Sequence, residues 1–341
     1  MDIFLTLDYE LFLGAKTGTP ENCLIKPMAA LCEALEKHGV RFSVFVDAAY
    51  LLRLSQLSDK NPHLQKDFDL VSKNVKSLHD KGHDIQLHFH PQWLYSDWDE
   101  SSKTWKLDYV HYKLSDMPVD EAIKYFNQAK ILLETITGKK IIAFRAGGYC
   151  LESFKDYIRL FKENGILVDS SVARGKYNLS GIHYFDYREV PSKHQIYKFS
   201  DSIREEVEDG RFIEAPISYC KWNKLYYLRK MRRKIASYKP TIAYGDGISI
   251  GNSIEKQKNK RKENNSFLSR FAPFASTAST SGITSVWLDD MYRSALKNHW
   301  NELVLIGHPK EENDCSIANL ERFVSAVCKK EQFKTISDLV Q

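Results

Sequence analysis

No apolar run in this sequence reaches the ~18 residues that a membrane-crossing helix needs, so a helical integral membrane protein is excluded. Cysteine is scarce and scattered. The six thiols, Cys23, Cys32, Cys150, Cys220, Cys315 and Cys328, form no CxxC pair and no dense framework. That spacing excludes a disulfide scaffold and points to free thiols in a reducing compartment. A leader pattern is missing too: "MDIFLTLDYE" carries Asp2 and reads directly as a strand, so the expected location is cytoplasmic. Internal repeats are absent. Histidine is also rare, with 11 in 341 residues, yet three of them, His83, His88 and His90, fall within "GHDIQLHFH".

What is present is globular. At 43% hydrophobic and 27% charged, a chain of this length can bury a sizeable core. The net charge of +5 is uneven. Between Lys221 and Lys262 there are 13 Lys/Arg against two acids, Asp246 and Glu255, so this stretch is +11 and the remainder −6. A charge island of this kind marks an insertion rather than a core element. A single domain over residues 1–341 is expected, with an insertion at 221–285 made of a basic helix and a mobile loop.

Strand-like and helical runs alternate. Ile3–Leu7, Arg41–Val46, Asp84–His90, Ile141–Phe144, "ILVDSS", "RFIEAPIS" and "ELVLIGH" read as strands. Pro27–Lys37, Leu64–Lys81, Val119–Ile136 and Phe154–Glu163 read as helices, the last stopped by Gly165. Repeated β–α units with apolar strands imply a parallel sheet, open or closed. Titratable residues sit at the C-terminal ends of these strands: Asp8 and Glu10, His88 and His90, Arg145, Asp169, His308. In a barrel that rim is where chemistry is built.

Each group has an ordinary alternative. His88 and His90 share one strand face and suit a zinc-type ion, or they bond to neighbouring carbonyls. Asp8 and Glu10 project to one side and supply a ligand and a base, or they form an exposed acidic loop. Arg145 in "FRAGGY" orients a carboxylate, or it sits incidentally in a tight turn. His308 closes "LVLIGH" as an acid, or it is a loop histidine. Asp169 raises the pKa of a nearby histidine, or it caps a helix. The loop Pro91–Asp116 is rich in aromatics; Trp98 and Trp105 would stack on sugar faces or pack the loop onto the barrel.

In this order, "TLDYE", "GHDIQLHFH", "FRAGGY", "DSS" and "LVLIGH" resemble the five motifs of the polysaccharide deacetylases, carbohydrate esterase family four, over Met1 to about Glu311. "IEAPIS" is similar to a further strand of that family. Three positions depart from the family pattern: Tyr9 replaces a second aspartate, the second histidine stands at +2 with Gln92 at +4, and Gly147 replaces a proline. "HFHP" and "FRAGG" look more like members encoded with lipopolysaccharide or capsule biosynthesis genes.

The resemblance implies an α/β fold, a deformed (β/α)7 barrel with the basic insertion near the C-terminal third. It implies a metal-dependent N-deacetylase acting on an acetamido group of a sugar or glycan precursor. Asp8 matches the catalytic base, Arg145 its holder, His308 the general acid and Asp169 its modulator. His88 matches the first metal histidine, His90 substitutes for the second and Glu10 stands in for the missing carboxylate ligand of a divalent ion, zinc by preference, with Asp8 and Glu10 able to exchange roles. Trp93, Trp98 and Tyr149 are expected to contact substrate. Expected partners are an N-acetylated sugar or a lipid- or nucleotide-linked glycan. The basic stretch 224–239 would lie on an anionic membrane at the cytoplasmic face or grip a diphosphate, and nucleic acid is not expected. A small-molecule amidohydrolase or deformylase, and an inactive glycan-binding relative, are the competing readings.

Overall fold

The computed structural model describes residues 1–151, 153–179, 181–191, 193–222, 242–249 and 274–340. Most of the expected 221–285 insertion, including the 224–239 membrane helix, therefore lies outside the described residues. No helix among the described residues is long and apolar enough to cross a membrane.

A nine-stranded sheet organises the chain. Its strands are β1 (Asp2–Tyr9), β2 (Ser43–Asp47), β3 (Asp84–Phe89), β4 (Ala143–Ala146), β5 (Val168–Asp169), β6 (Tyr197–Phe199), β7 (Phe212–Glu214), β8 (Glu302–Gly307) and β9 (Gln332–Lys334). The order is β6-β7-β5-β4-β3-β2-β1-β8, with β9 also on β1. Only the β6–β7 pair is antiparallel. The sheet curls until its ends nearly meet. Backbone bonds from Ser218 N to Val304 O (3.0 Å), Ala278 N to Ser218 O (2.8 Å) and Ile306 N to Ala278 O (2.9 Å) bridge the gap between β7 and β8. Seven parallel strands, β1 to β5 with β7 and β8, thus form the expected deformed barrel.

Helices α1 (Lys26–Glu36), α2 (Ala48–Ser58), α3 (Pro62–Asp80), α4 (Val119–Thr137), α5 (Ile158–Asn164), α6 (Leu288–Lys297) and α7 (Asp314–Val327) are the crossovers and the outer layer. Gly138 and Gly165 end α4 and α5 in the left-handed region that glycine enters without a Cβ clash.

Strand alternation separates two apolar clusters. Ile3, Leu5 and Leu7 join the large cluster with the helices. Phe4 joins a small one inside the curled sheet, with Phe45, Ala143, Val168, Ala215 and Val304, and Ile336 plugs it. The same parity that turns Phe4 inward turns Thr6 and Asp8 inward. The interior therefore changes from apolar to charged on the way to the C-terminal rim.

Candidate active site

Register sets the level of the charged layer. Asp47 pairs with His88 across β2–β3, and His88 pairs with Arg145 across β3–β4. Arg145 is fully buried, and its guanidinium lies 4.1 Å above the Phe45 ring. A charge there needs every donor satisfied. Nη1 donates to Asp8 Oδ1 at 2.5 Å, Nη2 to Thr6 Oγ1 (2.9 Å) and Ser170 Oγ (2.8 Å), and Nε to Ser170 O (2.9 Å). Burial pushes the Asp8 carboxyl up, but Arg145, then His88 and His308, outweigh it and hold Asp8 below its ordinary value.

His88 Nδ1 lies 2.7 Å from the Arg145 carbonyl, so this nitrogen donates and Nε2 faces Glu10 Oε2 at 3.2 Å. His90 Nδ1 lies 3.2 Å from the same Glu10 oxygen and 3.1 Å from Asp47 Oδ2. The two rings stand perpendicular, 4.5 Å apart. Glu10 Oε1 points the other way and accepts from Lys310 Nζ at 2.8 Å. Burial raises the Glu10 pKa, but Lys310 and the two imidazoles pull it well below the usual range. One atom each from Glu10, His88 and His90 lies within 4.8 Å of the others, a geometry open to a metal ion. His308 is partly exposed, with Nε2 3.6 Å from Asp8 Oδ2 and 3.7 Å from Glu10 Oε1.

These groups open into a cavity of about 190 Å³ that Leu13, Tyr112, Tyr149 and His183 also line. Tyr149 takes a positive φ of 65° directly after Gly148 at 58°, and Tyr187 Oη donates to its carbonyl at 2.5 Å, holding the turn.

Gly147 and His90 meet here. A Cβ on Gly147 would lie 2.4 Å from Cδ2 and 2.7 Å from Nε2 of His90. A proline at 147 would therefore collide with the histidine at +2. Residue 147 and His90 are sterically coupled.

Three expected site residues lie elsewhere. Trp93 is completely buried: its Nε1 donates to Asp47 Oδ2 at 2.8 Å and its ring packs on Tyr50 and Trp105. Trp98 stacks on His63 and donates to Glu100. Neither lines the cavity. The loop's tryptophans bind it to the barrel, because large rings in a long loop need burial. Asp169 occupies the other face of β5, where Ser171 donates to both its oxygens (2.7 and 3.0 Å) and Glu214 shares a hydrogen bond with it. The carboxylates within 4.0 Å of His308 are Asp8, Glu10 and Glu311; Asp169 is not among them.

Sequence reasoning missed Asp47, Lys310, Tyr112 and His183. Asp47 ends "SVFVD" as Asp8 ends "IFLTLD", so the same strand-end signal was available. Lys310, two residues past His308, gave none: a lysine after a strand is normally solvated. Burial, then the neighbouring His90, pushes the His183 pKa down to about 4.

No protein-family model matches the chain, and no curated protein matches it. Among solved structures it is similar to a candidate polysaccharide deacetylase from Mycobacterium smegmatis, at TM-score 0.51 and 14% identity over 99% of this chain and 88% of that one. Puue allantoinase (TM-score 0.47, 10% identity, 99% and 88% covered) and the peptidoglycan deacetylase PdaC from Bacillus subtilis (TM-score 0.40, 10% identity, 99% and 89% covered) are more distant. The first likeness, together with the curled parallel sheet, shows that the chain has the (β/α)7-type fold of the polysaccharide deacetylases.

Proposed function

We propose that the chain is a metal-dependent N-deacetylase acting on an acetamido group of a sugar or glycan precursor in surface-polysaccharide biosynthesis. The observation that supports it is the meeting of Glu10, His88 and His90 with the Arg145-held Asp8 and with His308 around one small cavity. The donors fit a divalent ion of the zinc type. Tetrahedral bonds of ~2.0–2.2 Å put neighbouring N and O ligand atoms about 3.3–3.4 Å apart, and Glu10 Oε2 lies 3.2 Å from a nitrogen of each imidazole.

Bound there, such an ion supplies Lewis acidity to an amide carbonyl and to water. The rest falls to the side chains. Lys310 and the imidazoles fix Glu10 as a ligand, which leaves Asp8 as the base. Asp8 keeps Oδ1 on Arg145 and offers Oδ2 to the proton of the attacking water. Arg145 is a positioning residue. His308 delivers a proton to the amide nitrogen as the carbon–nitrogen bond breaks, and acetate and a free amine result. Tyr149 and Tyr112 wall the acyl group from solvent.

At about 190 Å³ the cavity is smaller than the ~300–1,000 Å³ of drug-sized sites. It suits an acetamido group whose sugar and lipid or nucleotide carrier stay outside. The same volume favours a second reading, a small-molecule amidohydrolase or deformylase. A panel of free, nucleotide-linked and lipid-linked N-acetyl sugars, with formamido analogues, separates the two. Acetate release that stops on chelation and returns with zinc is expected. If no amide is hydrolysed by the zinc-loaded chain, the inactive glycan-binding reading takes over.

A further inference from the structure

A second cluster of ligand-type side chains lies away from the rim, where α1 packs against the entry to β3. Cys32 and Glu36 are four residues apart on α1 and so share one helical face. His83 precedes β3, almost wholly buried, with its ring stacked on Phe42 at 3.7 Å. Its Nε2 lies 3.6 Å from Cys32 Sγ and 3.2 Å from Glu36 Oε1. The three donor atoms all fall within 4.8 Å of one another.

These separations are those of a coordination shell. Tetrahedral zinc with a Zn–S bond of ~2.3 Å and Zn–N and Zn–O bonds of ~2.0–2.2 Å spaces N and S about 3.6 Å apart, and N and O about 3.3–3.4 Å. The two separations from His83 Nε2 match these values, and the Cys32 and Glu36 donors lie within 4.8 Å of each other. The site is also reachable. Glu36 is at the surface, so water can fill a fourth position from its side. Lys81, which holds both Glu36 oxygens at 2.9 and 3.3 Å, is solvent-exposed and needs to yield only one of them.

We propose that Cys32, Glu36 and His83 form a second metal site, taking a zinc-type ion and tying α1 to the floor of the barrel. Thiolate and imidazole donors select zinc or cobalt over magnesium and calcium. On binding, the Cys32 S–H bond breaks, its proton leaves to solvent, and the sulfur pair goes to the ion. The proposal stands whether or not the rim site is a deacetylase centre.

Cobalt(II) tests it, because a thiolate ligand gives an intense near-ultraviolet charge-transfer band and the rim cluster contains no sulfur. The full chain, stripped by chelator and titrated with cobalt, should show this band and bind two ions. His88→Ala should keep the band and lose one ion. Cys32→Ser and the surface variant Glu36→Gln should lose the band and keep the rim ion. Zinc should abolish the band by displacement. A wild-type chain without the band, or a band that survives Cys32→Ser, overturns the proposal; the first outcome is read on the unaltered chain and does not depend on any variant folding.

Discussion

Arg145 Nη1 and Asp8 Oδ1 lie 2.5 Å apart inside the barrel, although 137 residues separate them in the chain. Both side chains are buried, so neither charge is tolerable without the other. Asp8→Asn leaves the buried Arg145 charge unpaired and should destabilise by about 3–5 kcal/mol; in the protein that still folds, kcat should fall by about 10²–10⁴, the usual worth of a general base. Arg145→Met should destabilise by about 3–5 kcal/mol, because it strands a buried carboxylate. Acetate release and urea melts check the two. Wild-type kcat in Asp8→Asn would remove Asp8 from the chemistry.

Gly147→Ala tests the contact between residue 147 and His90. The added methyl must push the His90 ring, since its nearest atom is only 2.4 Å away. Metal affinity at the rim should fall about 10- to 100-fold, as for other losses of ligand orientation, with a smaller change in melting temperature. Competition with a zinc-responsive dye measures it. Unchanged affinity would mean that His90 does not need its present position.

The two loop tryptophans should behave as packing residues. Trp93→Ala should cost about 3–5 kcal/mol by emptying a core position and stripping Asp47 of a donor. Trp98→Ala should leave KM for an N-acetyl sugar unchanged, since its ring is already stacked on His63 and its Nε1 donates to Glu100. A large KM increase in a stably folded Trp98→Ala would restore the stacking role expected from the sequence.

Glu312 gives the fold a pH dependence of its own. Burial drives its pKa up to about 8, against the weaker pull of Ser316, Ser281 and Thr280. The folded chain therefore holds this proton after the unfolded chain has lost it. The stabilisation from protonated Glu312 is full below the ordinary value of 4.5 and is lost as pH rises from there to about 8. The slope is about 1.4 kcal/mol per pH unit. Glu312→Gln mimics the protonated form and should flatten this stretch of the stability–pH curve. Parallel curves for the two proteins would show that Glu312 titrates elsewhere.

Much of this was legible because strand parity is local. In "IFLTLDYE" and "DIQLHFH" the apolar residues take one set of alternate positions and mark a face, so the partners of Asp8, Glu10, His88 and His90 in parity could be read directly. The failures share a cause. Helix α2, "AAYLLRLSQLS", follows β2 with no loop and no side-chain cap at Asp47, so nothing punctuated its start. Asp169 lay at a strand end like the others, but one position out of phase with Val168, which faces the interior. Trp98 looked like a sugar platform because an aromatic loop residue carries no local sign of whether it faces water or protein.

By itself the sequence determined which side chains share a face of each strand and which strand ends carry charge, because both follow from a two-residue repeat. Only the tertiary structure decided that Arg145 meets Asp8, that Lys310 claims one oxygen of Glu10 across 300 residues, and that Gly147 makes room for His90. Those contacts depend on strand order, register and the closing of the sheet. No short window of sequence holds that information, since it is fixed by the packing of the whole barrel.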